Sequence, residues 1–246
     1  MGNQGYQQRL ETATKTGVFH LSKAKLNEFP EELGGITKTL RNIDLSENRI
    51  SAIPQNISTF VNLKNLNLNS NQIEAIPFEI GQLTKLETLS LANNRINDVP
   101  PTLAHLQKLR NVNLRFNLDS DSNALTSFPT VLCALKLLTV LDLSQNGITS
   151  VPDGVGDLQV VELILSQNRI RSINKDISKC PNLKTLRLQH NSLDIAELPT
   201  EILSDSQVSL LSVEGNLFDV VQLSNLDGYE TYMERFTSTK KKILHS

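Results

Sequence analysis

Residues 63–77 read LKNLNLNSNQIEAIP, and this sequence motif recurs along the chain. Its form is L-x-x-L-x-L-x-x-N-x-I-x-x-I-P, which LRNIDLSENRISAIP at 40–54 and LETLSLANNRINDVP at 86–100 match position by position. Weaker copies begin at residues 18, 138, 160, 183 and 208. Self-similarity at a fixed period indicates a repeat architecture, in which each unit buries its apolar face only by stacking on its neighbours.

The asparagine of this motif marks the register of the repeats. Its first four copies are 23 positions apart, and the next four follow at intervals of 22, 23 and 25 residues. A side-chain amide has donors and an acceptor, so it can bridge backbone groups of its own turn and of the adjacent one. We therefore predict a ladder of buried amides formed by Asn48, Asn71, Asn94, Asn117, Asn146, Asn168, Asn191 and Asn216.

The remaining residues of the motif predict the fold of one repeat. Alternation in Leu66-Asn67-Leu68 predicts a short strand whose leucines point inward while Asn67 points outward. After Pro77, apolar residues three apart predict a short helix or 3₁₀ turn. The expected fold is an α/β solenoid: a curved, right-handed superhelix with a parallel β-sheet on its concave face and short helical or 3₁₀ turns on its convex face.

The repeats predict three regions. Residues 1–17 form an N-terminal segment and cap, residues 18–218 form the solenoid of about nine repeats, and residues 219–246 form a C-terminal cap with a basic tail. Caps are expected because an open solenoid exposes core leucines and a strand edge.

The fourth full repeat carries six extra residues near 117–123. Asn117 lies 23 residues after Asn94, whereas Asn123 lies 23 residues before Asn146, so either asparagine fits the ladder. The insertion is either a partner-binding protrusion or a tolerated surface loop, because loops carry function while insertions cost little closure entropy.

Composition excludes several classes of function. The 24 basic and 26 acidic residues give a net charge of −2, which does not favour nucleic acid as a partner. Cys133 and Cys180 form no metal or redox motif, and the four histidines have no nucleophile or carboxylate at a catalytic spacing. We expect no catalytic residue, metal, cofactor or small-molecule substrate, and a reducing, cytoplasmic location, because the first residues have no apolar segment typical of a secretory signal.

The concave face is the expected partner site of a solenoid. Its first repeats present small polar residues, whereas the C-terminal half adds aromatic, aliphatic and arginine side chains. Such residues are typical binding anchors, and the alternative is a merely solvated face. The candidate partner-binding residues are Arg115, Phe116, Asp142, Ile164, Arg187 and His190.

The chain opens with Met1-Gly2, which fits the start of the N-myristoylation signal M-G-x-x-x-[ST], although position six is Tyr6. A single acyl chain binds membranes weakly, so a second signal is expected, and Lys240, Lys241 and Lys242 could supply it at an anionic surface. The candidate lipidation site is Gly2, on a protein peripheral to the cytoplasmic face of a membrane; the alternative is an ordinary solvated tail.

With its repeats aligned, the chain resembles the intracellular leucine-rich repeat family with a 23-residue period and an I-P step, which includes the Ras-suppressor and Scribble-type arrays. Its terminal segments MGN…ETATKTGVF and GYETYMERFTSTKKK also resemble those of a small, nearly all-repeat protein of this kind. The resemblance implies a non-enzymatic protein–protein interaction module with a lipid anchor on Gly2. The alternative function is a regulatory subunit in a phosphatase or small GTPase pathway, and an enzyme is the third choice.

Overall fold

The computed structural model describes residues 3–116 and 125–244. Within them, nine strands form one parallel sheet in the order β1-β2-β3-β4-β5-β6-β8-β10-β11, and β7 pairs with β9 in a second, two-stranded sheet. At about 4.8 Å per strand, the main sheet spans roughly 40 Å. The strands are β1 Val18–His20, β2 Asn42–Asp44, β3 Asn65–Asn67, β4 Thr88–Ser90, β5 Asn111–Asn113, β6 Val140–Asp142, β7 Ser150–Val151, β8 Glu162–Ile164, β9 Ser172–Ile173, β10 Thr185–Arg187 and β11 Leu210–Ser212.

Short 3₁₀ helices lie opposite the strands, mostly after the proline of each repeat. Where Pro77 precedes Phe78–Gln82, its φ of −69° fits the ring constraint. Asn174 stands at the equivalent position of a later repeat and instead caps its helix, accepting a hydrogen bond from the Asp176 N–H. The 3₁₀ helices are Glu31–Ile36, Gln55–Thr59, Phe78–Gln82, Pro101–His105, Thr130–Ala134, Val155–Asp157, Lys175–Lys179 and Ile195–Glu197.

One continuous aliphatic core runs between the strands and the 3₁₀ helices. In the coil of residues 63–86, the side chains of Leu66, Leu68, Ile73 and Ile80 are at most 1% exposed. Equivalent positions in the other described coils are buried in the same cluster. The predicted solenoid, with its parallel sheet and 3₁₀ turns, is therefore confirmed.

Helices lie at both ends of the sheet: α1 Asn3–Thr16 precedes β1, and α2 Glu201–Ser204, α3 Val220–Ser224 and α4 Tyr229–Leu244 lie near β11. Ala13 of α1 is fully buried, and α1 ends where Gly17, at φ +75°, donates its N–H to the Ala13 carbonyl. No described helix is long and apolar enough to span a bilayer. The boundaries at residues 17/18 and 218/219 stay predictions.

Candidate functional site

The outward side chains of the nine-stranded sheet form what we call the strand face. Asp142, Ile164 and Arg187 are Cα partners on the neighbouring strands β6, β8 and β10, so three of the six predicted partner-binding residues lie in one row across the sheet. The same row continues into Asn113 on β5. This arrangement follows from the parallel register, because residues at one position of each repeat meet side by side.

Arg187 is held in place by a residue that the sequence reasoning missed. Its Nε donates to Glu162 Oε1 at 2.8 Å, with the arginine side chain 44% exposed and the glutamate 30% exposed. Glu162 lies two residues before Ile164 on β8, and therefore on the same face of that strand. The period-two alternation would have identified it.

Arg115 and Phe116 lie beyond the end of β5. The Arg115 Nε donates to Gln145 Oε1 of the next coil at 2.8 Å. Phe116 is 40% exposed and has φ +54°, a left-handed conformation uncommon for an aromatic residue. The backbone leaves the strand in this conformation in coil after coil, at Glu47, Ser70, Asn93, Gln145, Gln167 and His190. The repeat geometry therefore directs an exposed aromatic ring away from the core.

His190 occupies the same backbone position as Phe116, three coils further along. Its N–H donates to the Glu214 carbonyl at 2.8 Å, and its ring lies directly against Gly215, where any added Cβ would collide with Nδ1. Asp142, by contrast, is engaged within its own turn, since its Oδ1 accepts from both the N–H and the Oγ of Ser144. The His190 ring therefore packs against the next coil, whereas the Asp142 carboxylate is already hydrogen-bonded within its own turn.

Two apolar side chains near the start of β6 and β8 were not predicted. Leu137 and Val161 are each 43% exposed, at positions where earlier coils carry Asn62 and Lys64. They precede the strands that carry Asp142 and Ile164. The apolar character of this half therefore extends beyond the strands, and comparison of the repeats at the positions before each strand would have revealed it.

The asparagines lie behind the strand face and bind neighbouring coils together. Asn71 Nδ2 donates to the carbonyls of Leu68 in its own coil and Leu45 in the preceding one, both at 3.0 Å, while its Oδ1 accepts from the Ile50 N–H at 3.0 Å. Each rung therefore satisfies groups that the turn leaves without partners. The same two donor bonds recur at Asn48, Asn94, Asn146, Asn168, Asn191 and Asn216.

One rung is incomplete. Asn146 is 3% exposed, and among the described side chains its Oδ1 is a buried polar atom without a donor. The residue that matches Ile50 in this coil is Leu125, since its carbonyl accepts from the Gly147 N–H at 3.0 Å as the Ile50 carbonyl accepts from Gln72 at 2.9 Å. The six extra residues therefore enter between Phe116 and Leu125, on the coil that should supply this donor.

Asn117 and Asn123 lie outside the described residues, as do the insertion near 117–123 and Gly2. Phe116 nevertheless sits at the backbone position that precedes the ladder asparagine in other coils, with its N–H on the Ser144 carbonyl at 2.9 Å. Leu125 sits at the position that lies two residues after that asparagine. The position of Phe116 is therefore consistent with Asn117 as the ladder residue, and the position of Leu125 is consistent with Asn123.

The cysteines and His20 show how the ionisable side chains are used in the described part of the chain. Both cysteines are free and buried, and burial raises the pKa of Cys133 to about 11 and that of Cys180 to about 12, so both stay protonated thiols at neutral pH. His20 Nδ1 pairs with Asp44 Oδ2 at 3.0 Å near the first strands. Over residues 3–116 and 125–244, no group of histidine, cysteine and acidic residues could hold a metal ion.

Comparison with known proteins identifies similar solenoids. A leucine-rich repeat protein of Leptospira interrogans is 30% identical, with a TM-score of 0.67, over 88% of this chain and 62% of that one. The plant peptide hormone receptor RGFR1, solved in complex with RGF2, is 25% identical, with a TM-score of 0.65, over 86% of this chain and 34% of the receptor. An internalin of Listeria monocytogenes, 23% identical with a TM-score of 0.70 over 89% of this chain and 61% of its own, shares the fold. The chain thus spans under two thirds of each of these proteins.

A family model described as leucine rich repeat matches residues 38–96, 61–118 and 136–193, which together are more than half of the chain. Proteins of this fold are typical protein–protein interaction modules without enzymatic activity. The repeats, the parallel sheet and this match lead to one conclusion: the chain belongs to the leucine-rich repeat family.

Proposed function

We propose that this chain is a non-enzymatic module of the intracellular, 23-residue class that binds a protein partner on the C-terminal half of its strand face. The observation that carries the proposal is the row of Asp142, Ile164 and Arg187 on adjacent strands, flanked by the exposed ring of Phe116. Burying an aliphatic and an aromatic side chain beside an arginine is a common basis of a binding hot spot.

The two halves of the strand face differ in what they offer a partner. The N-terminal coils present Asn67 and Ser90 in this row, whereas the later coils present Ile164 and Arg187. Arg187 is already oriented by Glu162, so little side-chain entropy is lost when a partner contacts it. Short polar side chains offer less buried area, and the later coils therefore support tighter binding.

The proposal is tested by comparing the affinities of the wild-type chain and of a variant for the same partner. Proximity labelling in cells would identify partners of the wild-type chain, and purified partners would be titrated against the triple variant Arg115→Ala/Phe116→Ala/Arg187→Ala. We expect at least a hundredfold weaker binding, since each anchor truncation costs more than about 1 kcal/mol. The matched control, Asn65→Ala/Asn67→Ala/Ser90→Ala, should bind as wild type. An unchanged affinity of the first variant would reject the proposed surface.

A regulatory subunit of a phosphatase or of a small GTPase pathway is a narrower form of the same proposal, in which the partner is an enzyme. The discriminating measurement is the partner's rate of turnover with and without this chain. An altered rate would favour the regulator, and tight binding with an unaltered rate would favour the plain binding module.

We further propose that Gly2 is myristoylated and that the protein is cytoplasmic and peripheral to the cytoplasmic face of a membrane. The two membrane signals belong to opposite ends of the molecule. Helix α1 begins at Asn3 beside β1, while Lys240, Lys241 and Lys242 lie on α4 beyond β11, so the length of the sheet, roughly 40 Å, separates them. Both can engage one flat bilayer when the solenoid lies lengthwise on it.

Intact-mass measurement of protein from eukaryotic cells tests the acyl group. We expect loss of Met1 and addition of one myristoyl chain, both abolished by Gly2→Ala. Sedimentation with anionic vesicles then tests the lysines: Lys240→Gln/Lys241→Gln/Lys242→Gln should weaken binding of the acylated protein, at about 1 kcal/mol per lysine. An unmodified Gly2 would remove the anchor from the proposal and leave the strand face unaffected.

A further inference from the structure

The outer edge of β11 is only partly capped. Within the sheet, the N–H one residue beyond each strand donates to the next strand, as Leu165 does to the Arg187 carbonyl at 2.8 Å and Leu188 to the Ser212 carbonyl at 2.7 Å. Val213 is the equivalent residue after β11, and its N–H has no acceptor among the described residues.

The same holds two residues later. His190 donates its N–H to the Glu214 carbonyl at 2.8 Å, and Gln167 donates to the Gln189 carbonyl at 2.7 Å. Gly215 occupies this position after β11, with φ +77°, and its N–H also lacks an acceptor in the described part of the chain. Two amides therefore point along the open edge of the sheet with the spacing that a further strand would satisfy.

Among the described residues, helix α4 makes one hydrogen bond to the outer edge of β11. The Tyr232 hydroxyl accepts from the Leu211 N–H at 3.2 Å and so caps the first outward amide of β11. Further along, α4 is tied to other parts of the coil, since Arg235 donates to the carbonyls of Leu203 at 2.6 Å and Val208 at 2.9 Å. Val213 and Gly215, whose N–H groups have no such partner among the described residues, line a cleft between β11 and the helices.

This edge cleft, of about 600 Å³, runs from β11 to α3 and α4. Apolar side chains form its walls, among them Phe218, Leu223, Met233 and Phe236. Val220 lines the mouth and is 69% exposed, with Leu217 and Val221 beside it in sequence at 66% and 62%. Exposed apolar side chains near a cleft typically mark a binding site, and the opposite side of this cleft is the β11 edge with its unpaired N–H groups.

We propose that the edge cleft binds an extended peptide of a partner protein, which adds to β11 as a tenth, parallel strand. The peptide backbone would accept from the N–H groups of Val213 and Gly215, and its alternate side chains would fill the apolar walls. Main-chain bonds with pockets for every second residue are the features of strand-addition sites. Lys240 also lines the cleft, with its ammonium group 4.6 Å from the Phe236 ring centre, and favours an acidic residue nearby.

This site is independent of the partner surface on the coils before β11. The peptide is held at the edge of the sheet, whereas the proposed partner contacts its face. A variant that removes Arg115, Phe116 and Arg187 is therefore expected to leave peptide binding unchanged, and the two proposals can fail separately.

The test begins with a display library of random linear 12-residue peptides panned on the immobilised full chain. Selected peptides would be synthesised and their Kd values measured. Val220→Glu places a charge at the cleft mouth on an exposed position and should weaken binding at least tenfold. Its matched control is Val61→Glu, at a side chain that is 47% exposed and far from the cleft, and this variant should bind as wild type.

Two further readouts address the backbone itself. A strand added in parallel also donates alternate N–H groups of its own to the preceding strand, as Leu210 does to the Lys184 carbonyl at 3.0 Å. N-methylation of successive peptide residues should therefore weaken binding at every second position by roughly tenfold, the loss of about one hydrogen bond. Amide hydrogen exchange followed by NMR should show that the Val213 and Gly215 amides exchange rapidly in the free protein and are protected by peptide.

Four outcomes would overturn the proposal: a library that yields no binder, binding that Val220→Glu leaves intact, N-methyl sensitivity without alternation, or Val213 and Gly215 amides that peptide does not protect. If these amides are already protected in the free protein and the protein self-associates with concentration, the occupant is a second copy of this chain, and the peptide proposal is wrong.

Discussion

Asn94 and Asn146 occupy the same position in two coils but make different hydrogen bonds. Both donate through Nδ2 to three carbonyls: Asn94 at 3.0, 2.9 and 3.3 Å, and Asn146 at 2.9, 3.0 and 3.1 Å. Asn94 Oδ1 also accepts from the Ile73 N–H at 3.0 Å, whereas Asn146 Oδ1 is without a donor among the described residues. The pair isolates the contribution of one buried acceptor.

Alanine at each position should therefore destabilise the protein unequally. Asn94→Ala leaves buried carbonyls and one N–H without partners and should cost about 3 kcal/mol, while Asn146→Ala should cost about 1 kcal/mol less because it strands no donor. Urea unfolding followed by circular dichroism measures both, with Asn65→Ala on the exposed face as control. Equal losses would contradict the incomplete rung.

The sequence reveals the asparagine period but not the partners of each amide. The interval of 23 residues shows that Asn94 recurs in register with Asn71. That Asn146 Oδ1 lacks a donor among the described residues depends on the exact position of the N–H groups in the preceding coil. A shift of a few ångströms breaks a hydrogen bond but leaves no mark on the spacing of the asparagines.

The coil that contains the insertion keeps regular backbone contacts on both sides of the six extra residues. Phe116 and Leu125 keep the backbone bonds of a regular coil on either side, to the Ser144 carbonyl at 2.9 Å and from the Gly147 N–H at 3.0 Å. The coil is therefore regular up to residue 116 and again from residue 125, and its neighbours stack without interruption. From the letters alone, both ladder registers were possible, because asparagine occurs at each end of the insertion.

Deleting residues 118–123 should increase stability by about 1 kcal/mol. The deletion brings Asn117 to two residues before Leu125, as Asn48 stands to Ile50, and allows the Leu125 N–H to reach Asn146 Oδ1. Urea unfolding gives the change, and a double-mutant cycle with Asn146→Ala assigns it, because the gain should vanish in that background. If the deletion destabilises the chain, the insertion contributes to the fold; if it abolishes partner binding, the insertion is functional.

At the C-terminal end, α4 is joined to the solenoid through Arg235. Its guanidinium donates to the carbonyls of Leu203, Val208 and Ile202, at 2.6, 2.9 and 3.3 Å, and burial lowers its pKa. The sequence predicts a C-terminal cap in this region but does not indicate which of its residues attach it to the solenoid. Its role depends on three carbonyls between 27 and 33 residues away in sequence, which only folding brings together.

Arg235→Met should cost about 2 kcal/mol, because it keeps much of the side-chain volume and removes charged donors from partly buried carbonyls. The loss should appear first as faster amide exchange in α2, β11 and α4. Lys241→Met on the exposed part of the same helix is the control and should have little effect. Unchanged exchange in α2 would show that Arg235 does not join these elements.

On the scale of the whole molecule, stability comes from contacts between neighbouring coils. Such an array unfolds at its weakest interface, and its free energy is close to a sum of local terms. Asn146, whose Oδ1 lacks a donor among the described residues, bridges the coils that carry β5 and β6, and the insertion falls between these two strands in sequence. The interface between these two coils is therefore expected to be the weakest in the described solenoid.

Native-state hydrogen exchange in increasing urea should therefore resolve two cooperative units, with a boundary between β5 and β6. The N-terminal unit contains β1 to β5, and the other contains β6 to β11. Deletion of residues 118–123 should merge them toward a single transition. If the amides of all strands in the unaltered chain exchange through a single unfolding event, with equal opening free energies, this prediction is wrong.

The solenoid, its period and its concave sheet can be predicted directly from the sequence. Equivalent residues of successive coils contact one another, so the sequence period is enough to predict these contacts. The open edge of β11, the link from Arg235 to distant carbonyls and the unpaired Oδ1 of Asn146 cannot be read that way. Each arises where the repetition stops or slips, so that its partners are set by long-range packing rather than by the period. The places where this protein departs from its own regularity are also those where we expect its distinctive behaviour.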